Sequence, residues 1–269
     1  MNPLLRYKNK LPWIIVIGFT LMAGVTAWIH SRQFSFVCDD AYITFRYAQN
    51  LARHGALEWN VGERVEGYTN FLWAVILAVA MKLGFHAPSA ALFLGRVFGA
   101  LGVGLMTLLL ASLHRDETRG EHPLQLLHPG VHLGAFLVAS TGAYACWSSG
   151  GLETAMFTCL SLGAFVLYVH EERSSATLRG SGAVMALAAM TRPEGALLFA
   201  WMGVHRLGFS LVEWRRRFRG ANPEHPEPEG NGDETPAPEG PKEAVWAAFL
   251  RILKRESLWT AGFVVLYGA

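Results

Sequence analysis

Two adjacent carboxylates, Asp39 and Asp40, stand at the head of the most polar stretch in the first two thirds of the chain. This stretch, residues 37–70, reads VCDDAYITFRYAQNLARHGALEWNVGERVEGYTN and follows an apolar run, residues 13–29, that is long enough to enter a bilayer. A carboxylate at a membrane surface can take a proton from a hydroxyl group, and a second one beside it can help to hold a divalent cation. Because Arg and Tyr side chains follow, the stretch indicates chemistry on a phosphorylated or sugar-bearing substrate. The alternative is that both acids only cap a helix beginning at Ala41, since Asp is a preferred N-cap residue.

Three motifs carry a resemblance to a known family. They are DDAYITFRYAQNLARHG…WNVGERVEGYTNFLW in residues 39–73, SGGLETAMF in residues 149–157 and MTRPEG in residues 190–195. Together they resemble the GT-C superfamily of membrane glycosyltransferases, and within it the branch that contains the mycobacterial terminal arabinofuranosyltransferases. The first motif is specific, whereas the two later ones are supportive.

The resemblance implies roles for individual residues. In this superfamily an Asp of the first outer loop is the general base, a role that falls here to Asp39 or Asp40. The sugar donor is a polyprenyl phosphate, and Arg binds a phosphate bidentately. The one cofactor expected is a divalent cation at the two acids, and no other metal site is predicted. The residues expected to bind the donor are Arg46, Arg64, Glu66, Tyr68, Asn70, Arg96, Arg192 and Glu194.

Arg96 draws attention because it lies inside an apolar run, and a charge inside a membrane span is by default a functional-site hypothesis. The alternative is that Arg96 forms a structural ion pair with Glu153 or Glu66. Glu153 itself is expected to cap the helix that starts at Thr154, where the helix dipole favours a negative charge.

Two further sets of residues have open alternatives. Arg192 and Glu194 flank Pro193, and they either line a polar cavity or form a local ion pair. Three aromatic residues near the first motif could stack a sugar ring or belong to the membrane-interface belt, namely Trp59, Tyr68 and Trp73.

The composition predicts an all-α, polytopic membrane protein. Of the 269 residues 52% are apolar and only 16% are charged, and the formal net charge of +2 gives no indication of nucleic-acid binding. The three cysteines have no metal or disulfide spacing. The absence of HExxH, Walker and GxSxG motifs argues against metalloprotease, ATPase and serine hydrolase functions.

The elements that must position the motifs follow from periodicity and run length. Residues 41–53 predict an amphipathic interfacial helix ended by Gly55. The predicted apolar runs are residues 13–29, 71–81, 88–113, 131–147, 155–169, 183–190, 196–204 and from 258 onwards.

The run at residues 71–81 decides the topology. Eleven residues of helix cover roughly 17 Å against about 30 Å of hydrocarbon, so we expect this run not to cross. The basic segments, including residues 214–219, then share the cytoplasmic side with the N-terminus, and the three motifs share the outer side. If the run did cross, the strongest basic cluster would lie outside. For the N-terminus, the alternative to an uncleaved span is a signal peptide.

Three regions are predicted. Residues 1–220 form the membrane-embedded core, and residues 221–243 form a disordered, acidic, Pro-rich cytoplasmic linker. Residues 244–269 form an amphipathic segment and the start of a further span. Because that span stops unfinished, we expect the sequence to be part of a longer protein.

The function expected from the resemblance is an inverting glycosyltransferase of the bacterial inner membrane. It would transfer a sugar, such as arabinofuranose or a hexose, from a polyprenyl phosphate to a glycan, lipid or protein of the cell envelope on the outer side. One alternative is a transporter or flippase of lipid-linked sugars, although the internal repeats and mid-membrane site typical of transporters are not seen. Another is an inactive fragment.

Overall fold

The computed structural model describes residues 11–34, 36–63, 65–117, 128–173, 180–220, 250, 254 and 257–267. Within these ranges the regular secondary structure is helical, with one isolated β-bridge between Asn60 and Glu63 and no strand. The predicted all-α class is therefore confirmed. Arg64 and the predicted linker at residues 221–243 lie outside the described residues.

The helices are α1 (Leu11–Ser31), α2 (Ala41–His54), α3 (Phe71–Lys82), α4 (Ala87–Glu117), α5 (Pro129–Ser140), α6 (Gly142–Trp147), α7 (Thr154–Arg173), α8 (Ser181–Ala189), α9 (Glu194–Gly220) and α10 (Ser257–Tyr267). Four of them, α1, α4, α7 and α9, contain segments long and apolar enough to cross a membrane. The chain is thus a polytopic helical membrane protein, as the composition predicts.

Helix α4 is the centre of the bundle, where it packs against α1, α5 and α7. It runs antiparallel to α1, because Trp28 meets Phe93 with ring centroids 5.8 Å apart while Gly24 lies against Ala100. The turn after α6 comes very close to it, since a Cβ atom at Gly95 would lie only 2.6 Å from the Ser148 carbonyl oxygen. This contact fixes the SGGLET turn against the central helix.

Helix α2 starts where predicted, ends one residue later than predicted and has the two predicted faces. It ends at His54, and Gly55 follows with φ 76° and its amide N–H bonded to the Leu51 carbonyl, a typical left-handed C-cap. One face is buried against α3 and includes Phe45 and Ala48, whereas Arg46 on the other face is exposed.

Helix α3 has 12 residues, about 18 Å of helix, and begins beside the two later motifs. The Leu72 amide donates to the Met190 carbonyl at 3.0 Å, and the Trp73 indole donates to the Gly151 carbonyl at 3.2 Å. The Trp73 ring also meets Phe98 of α4. Helices α3 and α4 therefore form a hairpin, and the first, SGGLET and TRPEG motifs lie at one end of the bundle, as expected if α3 does not cross.

The apolar run predicted at residues 131–147 is divided between two helices. Thr141 adopts an extended conformation (φ −73°, ψ 123°) and separates α5 from α6. Its hydroxyl donates to the Leu137 carbonyl at 2.8 Å, and its amide donates to Val138, so the last turn of α5 closes early. The break lets Tyr144 of α6 reach α4, where its hydroxyl donates to the Gly99 carbonyl at 2.7 Å.

A buried charged network holds the opposite end of the bundle together. Glu171 of α7 accepts hydrogen bonds from the Ser181 amide at 2.7 Å and hydroxyl at 2.6 Å. Arg206 of α9 is only 1% exposed, and its Nη1 lies 3.4 Å from the Glu171 carboxylate. The Trp259 indole of α10 donates to the Ser181 hydroxyl and lies under the Arg206 guanidinium. The apolar run predicted from residue 258 is therefore a helix of the bundle.

Candidate active site

The turn that carries Asp39 and Asp40 is attached to the SGGLET motif. The Cys38 amide donates to the Gly150 carbonyl at 2.9 Å, and both carboxylates are exposed. One carboxylate oxygen of Asp39 accepts the Asp40 amide at 3.1 Å. Asp40 occupies the N-cap position of α2 in a helical conformation, and its side chain makes no capping hydrogen bond. The alternative that the acids serve as side-chain caps of α2 is therefore wrong.

Gly151 is the residue that lets this turn pack closely. Its φ of +83° is strained for any residue with a side chain. A Cβ atom at this position would also lie 3.2 Å from Val37 Cγ1 and 3.3 Å from Ala41 Cβ. The glycine in the motif is thus explained by the close approach of the segments that flank the two acids.

A polar cluster joins all three motifs. The Asn70 side-chain amide donates to the Glu153 carboxylate at 2.8 Å and to the Thr44 hydroxyl at 2.9 Å. The other carboxylate oxygen of Glu153 lies 3.6 Å from Nη1 of Arg192. We call Thr44, Asn70, Glu153 and Arg192 the motif cluster. Because it links the first loop to both later turns, it fixes their relative positions.

Glu153 stands directly before α7, where its charge was expected, but its carboxylate caps no amide of that helix in the described hydrogen bonds. Its carboxylate is directed at Asn70 and Arg192 instead of the first amides of α7, and the residue is 8% exposed. Neither Glu153 nor Thr44 was expected at the site. Thr44 lies one turn after Asp40 on the buried face of α2. Helical periodicity could therefore have placed it near the two acids.

Arg192 and Glu194 do form the local ion pair, with Nη2 and Oε1 3.3 Å apart. Arg192 also faces Glu153, so two acids already balance its charge. An arginine with two acidic neighbours is less suited to bind a further anion than one with none.

Arg96 has no such partner. In the ranges that the structure describes, no carboxylate lies within salt-bridge distance of it, and its buried Nε has no hydrogen-bond partner. Glu153, the expected partner, is bonded to other residues. The ion-pair alternative for Arg96 is therefore not observed, and anion binding stays a prediction for this residue.

Glu66 and Tyr68 line an open cavity of about 540 Å³ at the same end of the bundle. Burial, and then the nearby Glu66 carboxylate, raise the pKa of the Tyr68 phenol, which keeps the hydroxyl protonated. The remaining lining comes from the first loop, the start of α3, the end of α8, the TRPEG turn and α10, namely Thr69, Phe71, Ala189, Met190, Pro193, Leu266 and Tyr267. The cavity offers the aromatic and carboxylate groups that bind sugars.

The other predicted residues have mixed outcomes. Arg46 donates through Nε to the Trp59 carbonyl at 3.0 Å, which leaves its terminal nitrogens available. Trp73 is fully buried, so the idea that it stacks a sugar is wrong. Trp59 is exposed.

Cys38, Asp39 and Asp40 each offer a ligand atom, and these atoms lie within 4.8 Å of one another. Two exposed carboxylates fit a hard divalent cation, which prefers oxygen ligands and keeps several waters. The thiol does not fit such an ion. The two acids therefore suit magnesium or a similar ion better than the full set of three suits zinc.

Comparison with known proteins supports the resemblance. The chain matches no family model and no solved structure. It is 25% identical over 214 residues to a terminal beta-(1->2)-arabinofuranosyltransferase of Mycobacterium tuberculosis, a match that covers 76% of this chain and 32% of the relative. It is 29% identical over 134 residues to the protein of that name in Corynebacterium glutamicum, covering 49% and 18%. The chain thus spans about a third or less of the length of these relatives. The predicted resemblance to the arabinofuranosyltransferase-like branch is therefore confirmed, as a distant similarity.

Proposed function

We propose that this chain is the membrane-embedded part of a glycosyltransferase. It transfers a sugar, arabinofuranose in the first place, from a polyprenyl phosphate to a glycan, lipid or protein of the cell envelope, with inversion at the anomeric carbon. The observation that supports this most directly is the meeting of the three motifs at one end of the bundle, through Asn70, Glu153 and Arg192. The choice of arabinofuranose as the sugar is based on the names of the two relatives.

In the proposed reaction the acceptor hydroxyl oxygen bonds to the anomeric carbon of the donor sugar while its proton passes to an aspartate. The bond between the anomeric carbon and the phosphate oxygen breaks, and the phosphate leaves with the electron pair. Both Asp39 and Asp40 are exposed and can meet an acceptor. Asp39 already accepts the Asp40 amide and lies 3.5 Å from the Cys38 thiol. The freer carboxylate of Asp40 is therefore the preferred base.

The motif cluster has a positioning role in this proposal. Thr44 lies one helical turn from Asp40, and its hydrogen bonds with Asn70 tie that turn to Glu153. An acid held by a buried hydrogen-bonded network keeps its geometry, which is what a general base needs. The cluster thus acts through Asp40 rather than on the substrate.

A divalent cation is a further part of the proposal. Asp39 and Asp40 would hold it, and when bound it would offset the negative charge of the departing phosphate. Arg46 and Arg96, which have no acidic partner in the described ranges, are additional cations at the same end.

The proposed orientation places the motif end outside the cytoplasm of a bacterial cell, in its inner membrane. Arg215, near the end of the 27-residue helix α9, lies about 31 Å along the helix from Glu194, at the other end of the bundle. A basic cluster there and a basic N-terminus favour the cytoplasm for that end.

Mass spectrometry of envelope glycans tests the function. Cells that lack the gene should lose terminal sugar residues, arabinofuranose first, and the wild-type gene should restore them. Identical glycans with and without the gene would reject the proposal. Accumulation of unflipped lipid-linked sugar would reject it in favour of a transporter.

A further inference from the structure

Tyr47 of α2 is only 1% exposed, and its hydroxyl group is shared by two backbone groups of the first loop. The hydroxyl donates to the Val65 carbonyl at 2.7 Å and accepts a hydrogen bond from the Gly67 amide at 2.9 Å. A phenol has one proton to donate and lone pairs to accept, so one side chain satisfies both backbone groups. A single hydroxyl thus holds residues 65–67 against α2. Tyr47 was not among the residues expected at the site.

Gly67 permits this close contact. A Cβ atom at this position would lie 2.8 Å from the Tyr47 hydroxyl oxygen and 3.6 Å from the ring carbon Cζ that carries it. The first distance is too short for a side chain, whereas the second is an ordinary contact. The Tyr47 ring also meets the Tyr68 ring, with the two centroids 4.7 Å apart. The two hydrogen bonds therefore fix the backbone on both sides of Glu66, and the ring contact fixes Tyr68.

Glu66 and Tyr68 are also the two residues of this loop segment that line the open cavity of about 540 Å³. We call it the aromatic cavity, because Tyr68, Phe71 and Tyr267 line it and the last two are exposed. Aromatic faces beside a carboxylate suit a sugar ring, since the apolar face of the sugar packs on the aromatic rings while its hydroxyls donate to the acid.

The aromatic cavity is connected to the proposed base. Two of its lining residues, Thr69 and Phe71, flank Asn70, whose side-chain amide donates to the Thr44 hydroxyl at 2.9 Å. Thr44 lies one helical turn after Asp40. A ligand in the aromatic cavity therefore lies against the segment that is bonded to the first turns of α2.

We infer that Tyr47 is a positioning residue, which holds residues 65–68 so that Glu66 and Tyr68 bind a sugar ring in the aromatic cavity. Tyr47 is buried and does not line the cavity, so it acts through these two residues. That the ligand is a sugar rests on the proposed function, whereas the hold of Tyr47 on the loop does not. Both the donor and the acceptor of the proposed reaction carry sugar rings, and their separate KM values distinguish the two sources.

Binding of methyl arabinofuranoside and of methyl mannopyranoside to the full chain, in nanodiscs of phosphatidylcholine, tests the inference without turnover. Saturation-transfer NMR should show saturable binding of at least one of them to the wild type, and glycerol should not compete at equal concentration. Tyr47→Phe keeps the ring and removes both hydrogen bonds, so it should weaken binding about tenfold. Tyr42→Phe is the matched control on the same helix. Tyr42 is exposed and its hydroxyl makes no hydrogen bond within the described residues, so the affinity should not change.

A double variant tests whether the effect passes through the contact of Tyr47 with the loop. Gly67→Ala alone should weaken binding about tenfold, because the new Cβ meets the Tyr47 hydroxyl and displaces the loop. Added to Tyr47→Phe, it should weaken binding only about twofold or less, because the oxygen is absent and the two effects are not additive. Full additivity of the two substitutions would contradict the inference.

Turnover of Tyr47→Phe identifies the source of the sugar. A higher KM for the acceptor alone, with kcat retained, would assign the aromatic cavity to the acceptor, and a higher KM for the donor alone would assign it to the donor. A fall in kcat with both KM values unchanged would contradict a role in binding.

Other outcomes separate this inference from the proposed function. A lower unfolding temperature in Tyr47→Phe, with unchanged sugar affinity of the folded protein, would show that Tyr47 only stabilises the fold. Absence of binding of both sugars to the wild type would reject the sugar site even if the gene alters envelope glycans. Sugar binding that depends on Tyr47, together with unaltered glycans, would reject the proposed function and leave the positioning role in place.

Discussion

The side-chain amide of Asn70 donates a hydrogen bond of 2.8 Å to the carboxylate of Glu153, joining residues that are 83 positions apart. Both residues are buried, one at the start of α3 and the other just before α7. Glu153 also faces Arg192 of the TRPEG turn. One carboxylate therefore connects three segments of the chain, and the turn with Asp39 and Asp40 is built on this connection.

Replacing Glu153 should cost stability. Glu153→Ala leaves the buried Asn70 amide without one acceptor and removes the neighbour of Arg192, so the free energy of unfolding should fall by about 2 kcal/mol. Thermal unfolding of the purified protein measures this. Glu194→Gln, at a side chain 54% exposed, is the matched control and should change little. Equal effects of the two substitutions would show that the motif cluster has no special role.

Gly151→Ala should impair transfer more than binding. The new Cβ would be strained at φ +83° and would press on Val37 and Ala41, moving the segment that carries the two acids. We expect the free energy of unfolding to fall by about 1–3 kcal/mol and kcat to fall as well. The affinity for farnesyl phosphate, a short lipid phosphate used as an analogue of the proposed donor, should be retained. The neighbouring Gly150 has no positive φ, and a Cβ there would lie 3.4 Å from the Phe36 ring. Gly150→Ala should therefore be milder, and a reversed order would contradict the explanation.

Arg206→Leu should destabilise the opposite end of the bundle without changing the motif end. Its removal leaves the buried Glu171 without its positive partner, which typically costs about 3 kcal/mol or more. Adding Glu171→Gln should recover part of the loss, since the remaining side chain carries no charge. The unfolding temperature reports the destabilisation of the opposite end, and farnesyl phosphate binding reports whether the motif end is intact. A loss of binding at a temperature where the variant is folded would contradict this division.

Cysteine labelling tests the orientation. In a Cys38→Ala background, Glu63→Cys should react with an impermeant thiol reagent in intact cells, because Glu63 is exposed at the motif end. Arg215→Cys, exposed at the other end, should react only after the cells are opened. Reaction of Arg215→Cys from outside would show that the proposed orientation is inverted.

Local features of the fold could be predicted from the sequence. Helix α2 has its predicted start at Ala41 and ends one residue later than predicted, at His54, because amphipathic spacing and the Gly55 cap are local signals. Helix α3 is as short as its apolar run. The break at Thr141 was missed because the apolar composition continues across it, and only the contact of Tyr144 with α4 explains the change of direction.

The sequence allowed the motifs of the site to be predicted, but not the contacts between them. The hydrogen bond between Asn70 and Glu153 joins distant segments, and no local signal specifies such a pair. The burial of Arg206 was not predicted, since the acid that balances it lies on another helix. The cavity lined by Arg46, Arg53 and Lys82 likewise depends on how α2 meets the α3–α4 turn.

In the proposed reaction a first-loop carboxylate takes the acceptor proton, and the transfer rates of aspartate variants measure whether it does. Asp39→Asn, Asp40→Asn and the double variant should be measured with the full protein in nanodiscs. Both side chains are exposed and neither caps α2, so unfolding temperature and farnesyl phosphate binding should match the wild type. The rate should fall by about 10²–10⁴ in Asp40→Asn and in the double variant. If the double variant keeps more than about a tenth of the wild-type rate while it remains folded, another group takes the proton and neither Asp39 nor Asp40 is the base.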